Sequence, residues 1–110
     1  MEGIYNLKEL QELIGGEKAV LLYFSNDACS VCKVLKPRVY QLLQEQFPQL
    51  VSRYVDTELS PLIAGQFRVF SIPTILIFFD GKEQVRYSRN IHMHQLEDSI
   101  ARPYGLLFEA

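Results

Sequence analysis

The chain has 110 residues, of which 48% are apolar and 22% charged, and its formal net charge is −2. This length suits one domain spanning residues 1–110 around one core, and the composition belongs to a folding chain, not a disordered one. The 11 Lys and Arg residues are scattered, so there is no basic footprint for nucleic acid or an anionic membrane, and neither partner is expected.

The start, MEGIYNLKEL, lacks the basic and apolar regions of a signal peptide, and no apolar run approaches the roughly 20 residues that span a bilayer; cytoplasmic residence is the expectation. Asn6 with Glu9 three residues on reads as a helix cap, and Leu7, Leu10, Leu13 and Ile14 recur at helical spacing until Gly15 and Gly16. Ala19 to Phe24 (AVLLYF) is a continuous apolar run of strand length, the pattern of a central strand covered on both faces.

Ser25 to Lys33 (SNDACSVCK) then holds the chain's 2 cysteines, Cys29 and Cys32. Spacing alone leaves a structural staple, half of a metal site and a redox couple open. A persistent bridge is disfavoured in a reducing compartment, and one enclosing only Ser30 and Val31 constrains little of the unfolded chain. A structural zinc site takes four protein ligands, whereas here the thiols have only the distant His92 and His94, which read as solvent-facing.

Leu35, Val39, Leu42, Leu43 and Phe47 share one face of a second helix, with Pro37 expected to kink it and Pro48 to close it. Leu50 to Val55 is strand-like, and strand, helix, strand over this distance implies a parallel crossover. Ser60-Pro61 opens a short helix to about Phe67. Thr74 to Phe79 (TILIFF) is the next buried strand, Asp80-Gly81 a hairpin turn, and Glu83 to Ser88 its antiparallel partner. A last helix is expected from Met93 to Ala101, ended by Pro103, which leaves the apolar tail Leu106 to Phe108 free.

With the cysteines at a strand-to-helix junction, where open sheets place their sites, the chain resembles the thioredoxin family over nearly its whole length. YFSNDACSVCK matches the strand, loop and active-site motif, Pro37 the helix-kinking proline, and SIPT (Ser71 to Thr74) the cis-proline loop. The resemblance implies an α/β fold: a central mixed sheet of about four strands flanked by helices on both faces, its first edge strand reduced or absent. It implies a thiol–disulfide oxidoreductase acting on disulfide-containing protein substrates. Electrons would come from a thioredoxin reductase or small thiol, with no cofactor, in a monomer.

At a helix start the first cysteine lies nearer the free N–H groups and the positive dipole end, so Cys29 is the expected nucleophile and Cys32 the buried resolving thiol of a cycling Cys29–Cys32 disulfide. The resemblance further implies that Ile72-Pro73 is cis and faces the cysteines, where the Ile72 backbone can pair with an extended substrate. Four departures bear on mechanism. Ala28 replaces the family's usual tryptophan, and Ser30-Val31 replaces Gly-Pro, restoring an N–H at Val31. Tyr23 stands where thioredoxins carry a buried carboxylate, and Asp56, expected to be exposed, is no substitute. Arg89 aligns with a glycine beside the cleft, which would put a cation near the thiol and narrow the groove. The missing tryptophan and carboxylate make a competing reading credible: a thioredoxin-fold binding module whose cysteines are reactive but inefficient and which holds its partner through the surface around Ala28 and the tail Leu106 to Phe108.

Overall fold

The computed structural model describes residues 1–108. Glu2–Gly3 (β1), Ala19–Ser25 (β2), Val51–Asp56 (β3), Thr74–Phe79 (β4) and Lys82–Ser88 (β5) form one sheet in the order β1-β3-β2-β4-β5. β1, β3 and β2 run parallel, while β4 is antiparallel to β2 and to β5. The reduced edge strand is thus present as β1, two residues long, and the sheet has five strands.

The two continuous apolar runs are the two central strands, β2 and β4, and every residue of each is buried. Alternate side chains of a strand point to opposite faces, so β2 feeds two separate clusters. Val20, Leu22 and Phe24 meet Leu10 and Ile14 of α1 (Leu7–Gly16) and Ile63 and Ala64 of α3 (Pro61–Gln66). Ala19, Leu21 and Tyr23 meet Cys32, Leu35, Val39 and Leu43 of α2 (Ser30–Gln46) and Leu96, Ile100 and Tyr104 of α4 (Met93–Phe108). Among the described residues no helix is long and apolar enough to cross a membrane.

Local signals hold where their partners are local. The Asn6 side chain accepts the Glu9 N–H at 3.0 Å and caps α1, which continues through both glycines. Asp80 and Gly81, at φ of 53° and 78°, make the two-residue turn between β4 and β5 that requires positive φ at both positions. The last helix departs from expectation. It does not end before Pro103 but runs through it to Phe108. A proline inside a helix costs about 3 kcal/mol through the lost hydrogen bond and ring clash, and tertiary packing offsets that here. Tyr104 packs edge-on against Phe47 at 5.1 Å and against Phe108 at 4.7 Å, and its hydroxyl accepts the Gln49 N–H at 3.0 Å. The tail is therefore not free: Leu107 and Phe108 pack against the core, and Leu106 alone of the three is exposed.

Candidate redox site at the junction of β2 and α2

β2 ends at Ser25, and a short polar turn carries the chain to the cysteines. The Asn26 side chain accepts the Ala28 N–H at 2.9 Å and its carbonyl accepts the Cys29 N–H at 3.3 Å, the local bonding that favours Asn at such a turn. Cys29 is extended (φ −87°, ψ 104°) and is the N-cap of α2, its Sγ accepting the Cys32 N–H at 3.2 Å. A sulfur thus occupies the position that a capping oxygen usually fills, at the positive end of a 17-residue helix. The spacing places both side chains on one side of the first turn, and a disulfide joins them across a Cα–Cα distance of 5.3 Å. Cys32 is 2% exposed, while Cys29 is half-buried between exposed Ala28 and Ser30. An approaching molecule therefore reaches the Cys29 sulfur first.

Beneath the pair lies Tyr23, fully buried, whose hydroxyl donates to the Cys32 carbonyl at 3.1 Å. Burial, and secondarily Tyr54, pushes the Tyr23 phenol up to about 12. It is a donor throughout the neutral range and no proton acceptor. The Tyr54 ring stacks on Tyr23, with centroids 6.3 Å apart, and the Lys36 ammonium lies 3.8 Å over the Tyr54 ring. Burial also raises the Tyr54 phenol, against a hydrogen bond from Ser25 that lowers it.

The second loop comes from the start of β4. The Ile72–Pro73 peptide is cis. Thr74 braces it by donating to the Ser71 carbonyl at 2.7 Å, and the Arg89 N–H donates to the Pro73 carbonyl at 2.8 Å. Pro73 is buried; Ile72 is half-buried against the same cluster that Cys29 borders. Arg89 meets this loop only through its backbone. Its side chain is exposed, and its φ of 65° lies in the left-handed region, where glycine is the residue that fits without a steric cost. From Asn26 and Thr57 to Ser71 and Ile72 runs an open groove of about 430 Å³, floored by Ala64 and Val69 and flanked by Phe70, which is 87% exposed.

Asp56 is not exposed, as its place at a strand end implied, but 6% accessible. Its carboxylate turns back to accept the N–H groups of Glu58 and Leu59 at 2.9 and 3.1 Å, so it closes the turn after β3. His92 and His94 are exposed, and no three metal-ligating side chains converge among the described residues. Sequence reasoning missed three features. The Tyr23–Cys32 bond and the exposure of Phe70 carry no local signal, whereas the Asn26 turn does, in an Asn-Asp pair directly after a strand.

Comparison with known proteins agrees with this geometry. The Thioredoxin family model matches residues 4–102. The thioredoxin-like protein YdfQ of Bacillus subtilis is 32% identical over 106 residues, covering 96% of this chain and 94% of that protein. A thioredoxin of Chlamydia trachomatis is 42% identical over 67 residues, 61% of this chain and 65% of that one. The X-ray structure of Fasciola hepatica thioredoxin, 26% identical, superposes with a TM-score of 0.83 over 93% of this chain and 98% of that chain. The fold is the thioredoxin fold, an α/β class in which a mixed sheet carries helices on both faces. The chain belongs to the thioredoxin family, whose members are disulfide oxidoreductases.

Proposed function

We propose that the chain reduces disulfides in protein substrates, with Cys29 as nucleophile and Cys32 as resolving thiol. The observation that carries this reading is the unequal placement of the two sulfurs: one caps a helix at the surface, the other is buried one turn inside. In the dithiol state the Cys32 N–H and the helix terminus stabilise a Cys29 thiolate. That thiolate attacks one sulfur of a substrate disulfide, the substrate S–S bond breaks, and the displaced sulfur leaves as a thiolate that takes up a proton. The Cys32 thiol then gives its proton to solvent and attacks the Cys29 sulfur. The second substrate sulfur departs, and two electrons have passed to the substrate as the Cys29–Cys32 bond forms. A thioredoxin reductase or a small thiol, in a reducing cytoplasm, returns those electrons.

Tyr23 removes a buried base from this scheme, so the Cys32 proton leaves without one. The groove that ends at Ile72 suits an extended substrate segment paired to the Ile72 backbone as an added strand, and Ala28, exposed next to Cys29, offers a further contact. Arg89 lies on the loop that continues from β5 and narrows that approach. The binding-module reading loses most of its second handhold, because Leu107 and Phe108 pack against the core and leave only Leu106 of the three exposed.

Insulin reduction with a thiol donor tests the activity, and trapping tests the roles. The Cys32→Ser variant should accumulate a mixed disulfide on Cys29, and Cys29→Ser should trap nothing. Equal trapping by both variants, or wild-type insulin turnover no faster than the donor alone, would overturn the reading.

A further inference from the structure

Tyr23 is a fully buried ionisable side chain in contact with the redox pair, yet the thiol chemistry above gives it no proton to move. A buried hydroxyl needs a partner, and any nearby carbonyl would satisfy it. The one it meets belongs to Cys32. The surrounding helix makes that choice matter. Pro37 has no N–H, so the Lys33 carbonyl, one residue past Cys32, lacks its usual donor four residues on. The ladder that would stiffen the cysteine-bearing turn from within has a gap directly behind it.

Two tyrosines of the sheet hold the turn from outside. Tyr23 of β2 and Tyr54 of β3 are register partners in the parallel ladder, and their rings stack with an interplanar angle of 21°. One holds the Cys32 carbonyl; the other lies under the ammonium of Lys36, one helical turn beyond Cys32. We propose that Tyr23 is a positioning residue for Cys32: with Tyr54 it forms a platform under the first turn of α2 that sets how readily the Cys32 sulfur closes onto Cys29. The assignment rests on the oxidoreductase reading for its purpose, though not for its measurement. Because the phenol stays protonated, the contribution is geometric, and no side chain of the pair replaces a proton-transferring group.

The test is Tyr23→Phe, which keeps the ring and its stacking and removes only the bond to Cys32. A mixed disulfide between Cys29 and glutathione closes when the Cys32 thiolate attacks the Cys29 sulfur and glutathione leaves as a thiolate. Closure should slow about fivefold, the equivalent of one neutral hydrogen bond. The balance of the pair in glutathione redox buffers should shift toward the dithiol. Alkylation of Cys29 in the Cys32→Ser background should stay within about twofold of its parent, since attack by Cys29 does not use the platform. Unchanged closure, or closure and alkylation slowed equally, would overturn the proposal.

Lys36→Gln removes the second anchor at a partly exposed position and keeps the question open to measurement if Tyr23→Phe does not fold; it should slow closure about twofold. No change there, with Tyr23→Phe unfolded, would also reject the platform. Absent insulin turnover alongside normal exchange with glutathione would refute the oxidoreductase reading and leave the positioning role standing.

Discussion

The two faces of β2 are equally buried, but they are built from different atoms. On the α1 and α3 side the cluster itself is hydrocarbon, from Leu10 and Ile14 through Leu22 and Phe24 to Leu76 and Phe78, and the buried hydroxyls of Thr74 and Ser60 lie only at its edges, where β4 and α3 begin. On the α2 and α4 side the cluster includes the Tyr23 hydroxyl, the Cys32 sulfur and the Tyr104 hydroxyl, each with a named partner. Buried polar atoms are costly unless satisfied, so the face that carries them needs defined geometry as well as volume. One face supplies stability, and the other supplies stability and position.

The largest effect that would break this comparison is a truncation on the hydrocarbon face. Leu22→Ala should lower unfolding free energy by about 2–5 kcal/mol in urea titration, because a cavity forms among side chains that cannot collapse into it. The redox balance of the folded variant with glutathione should stay at the wild-type value. A shift as large as that of Tyr23→Phe would mean that the two faces are not separable.

Alkaline pH probes the polar face. The Tyr23 phenol titrates near 12 in the folded chain against an ordinary value of 10.0. The unfolded chain therefore loses this proton first, and stability is full below about pH 10 and falls as pH rises from about 10 to about 12. Urea midpoints should decline through that window in wild type and decline less in Tyr23→Phe. Equal slopes in the two proteins would show that Tyr23 is not the titrating group.

The smallest expected change lies at the loop that joins the site to the sheet edge. Arg89→Gly releases a non-glycine residue from φ of 65° and keeps the backbone bond to Pro73. A left-handed backbone costs an L-residue roughly 1–2 kcal/mol, partly offset by the extra chain entropy of glycine. A rise in Tm of a few degrees is expected. A fall would mean that the exposed guanidinium contributes more than its surroundings indicate.

Much of the fold was legible in local patterns. AVLLYF and TILIFF announce central strands because a strand covered on both faces has no polar positions. The Asp80-Gly81 pair announces its hairpin because few residues adopt positive φ. The cysteines, too, are found by spacing. Position past Pro103 was not legible, since a proline's cost is local while the Tyr104 contacts that offset it come from Phe47 and Gln49, distant in sequence. Asp56 was misread for the reverse reason: an acidic residue at a strand end suggests solvent, yet its own turn folds back over it.

By itself the sequence determined where the central strands, the hairpin and the first three helices lie, that two sulfurs share one helical turn, and that the sheet is covered on both faces. These follow from periodicity, capping and turn chemistry, which act over a few residues. A buried Cys32 is expected from its place one turn inside the helix, and a proline loop facing the cysteines from the resemblance. Only the tertiary structure decided that Cys29 is half-open, that Tyr23 holds the Cys32 carbonyl and that Tyr54 stacks on Tyr23 beneath Lys36. Each of those depends on the register between strands and on the packing of α2 across the sheet. Neighbours far apart in the chain come within hydrogen-bond distance only when a whole layer has docked.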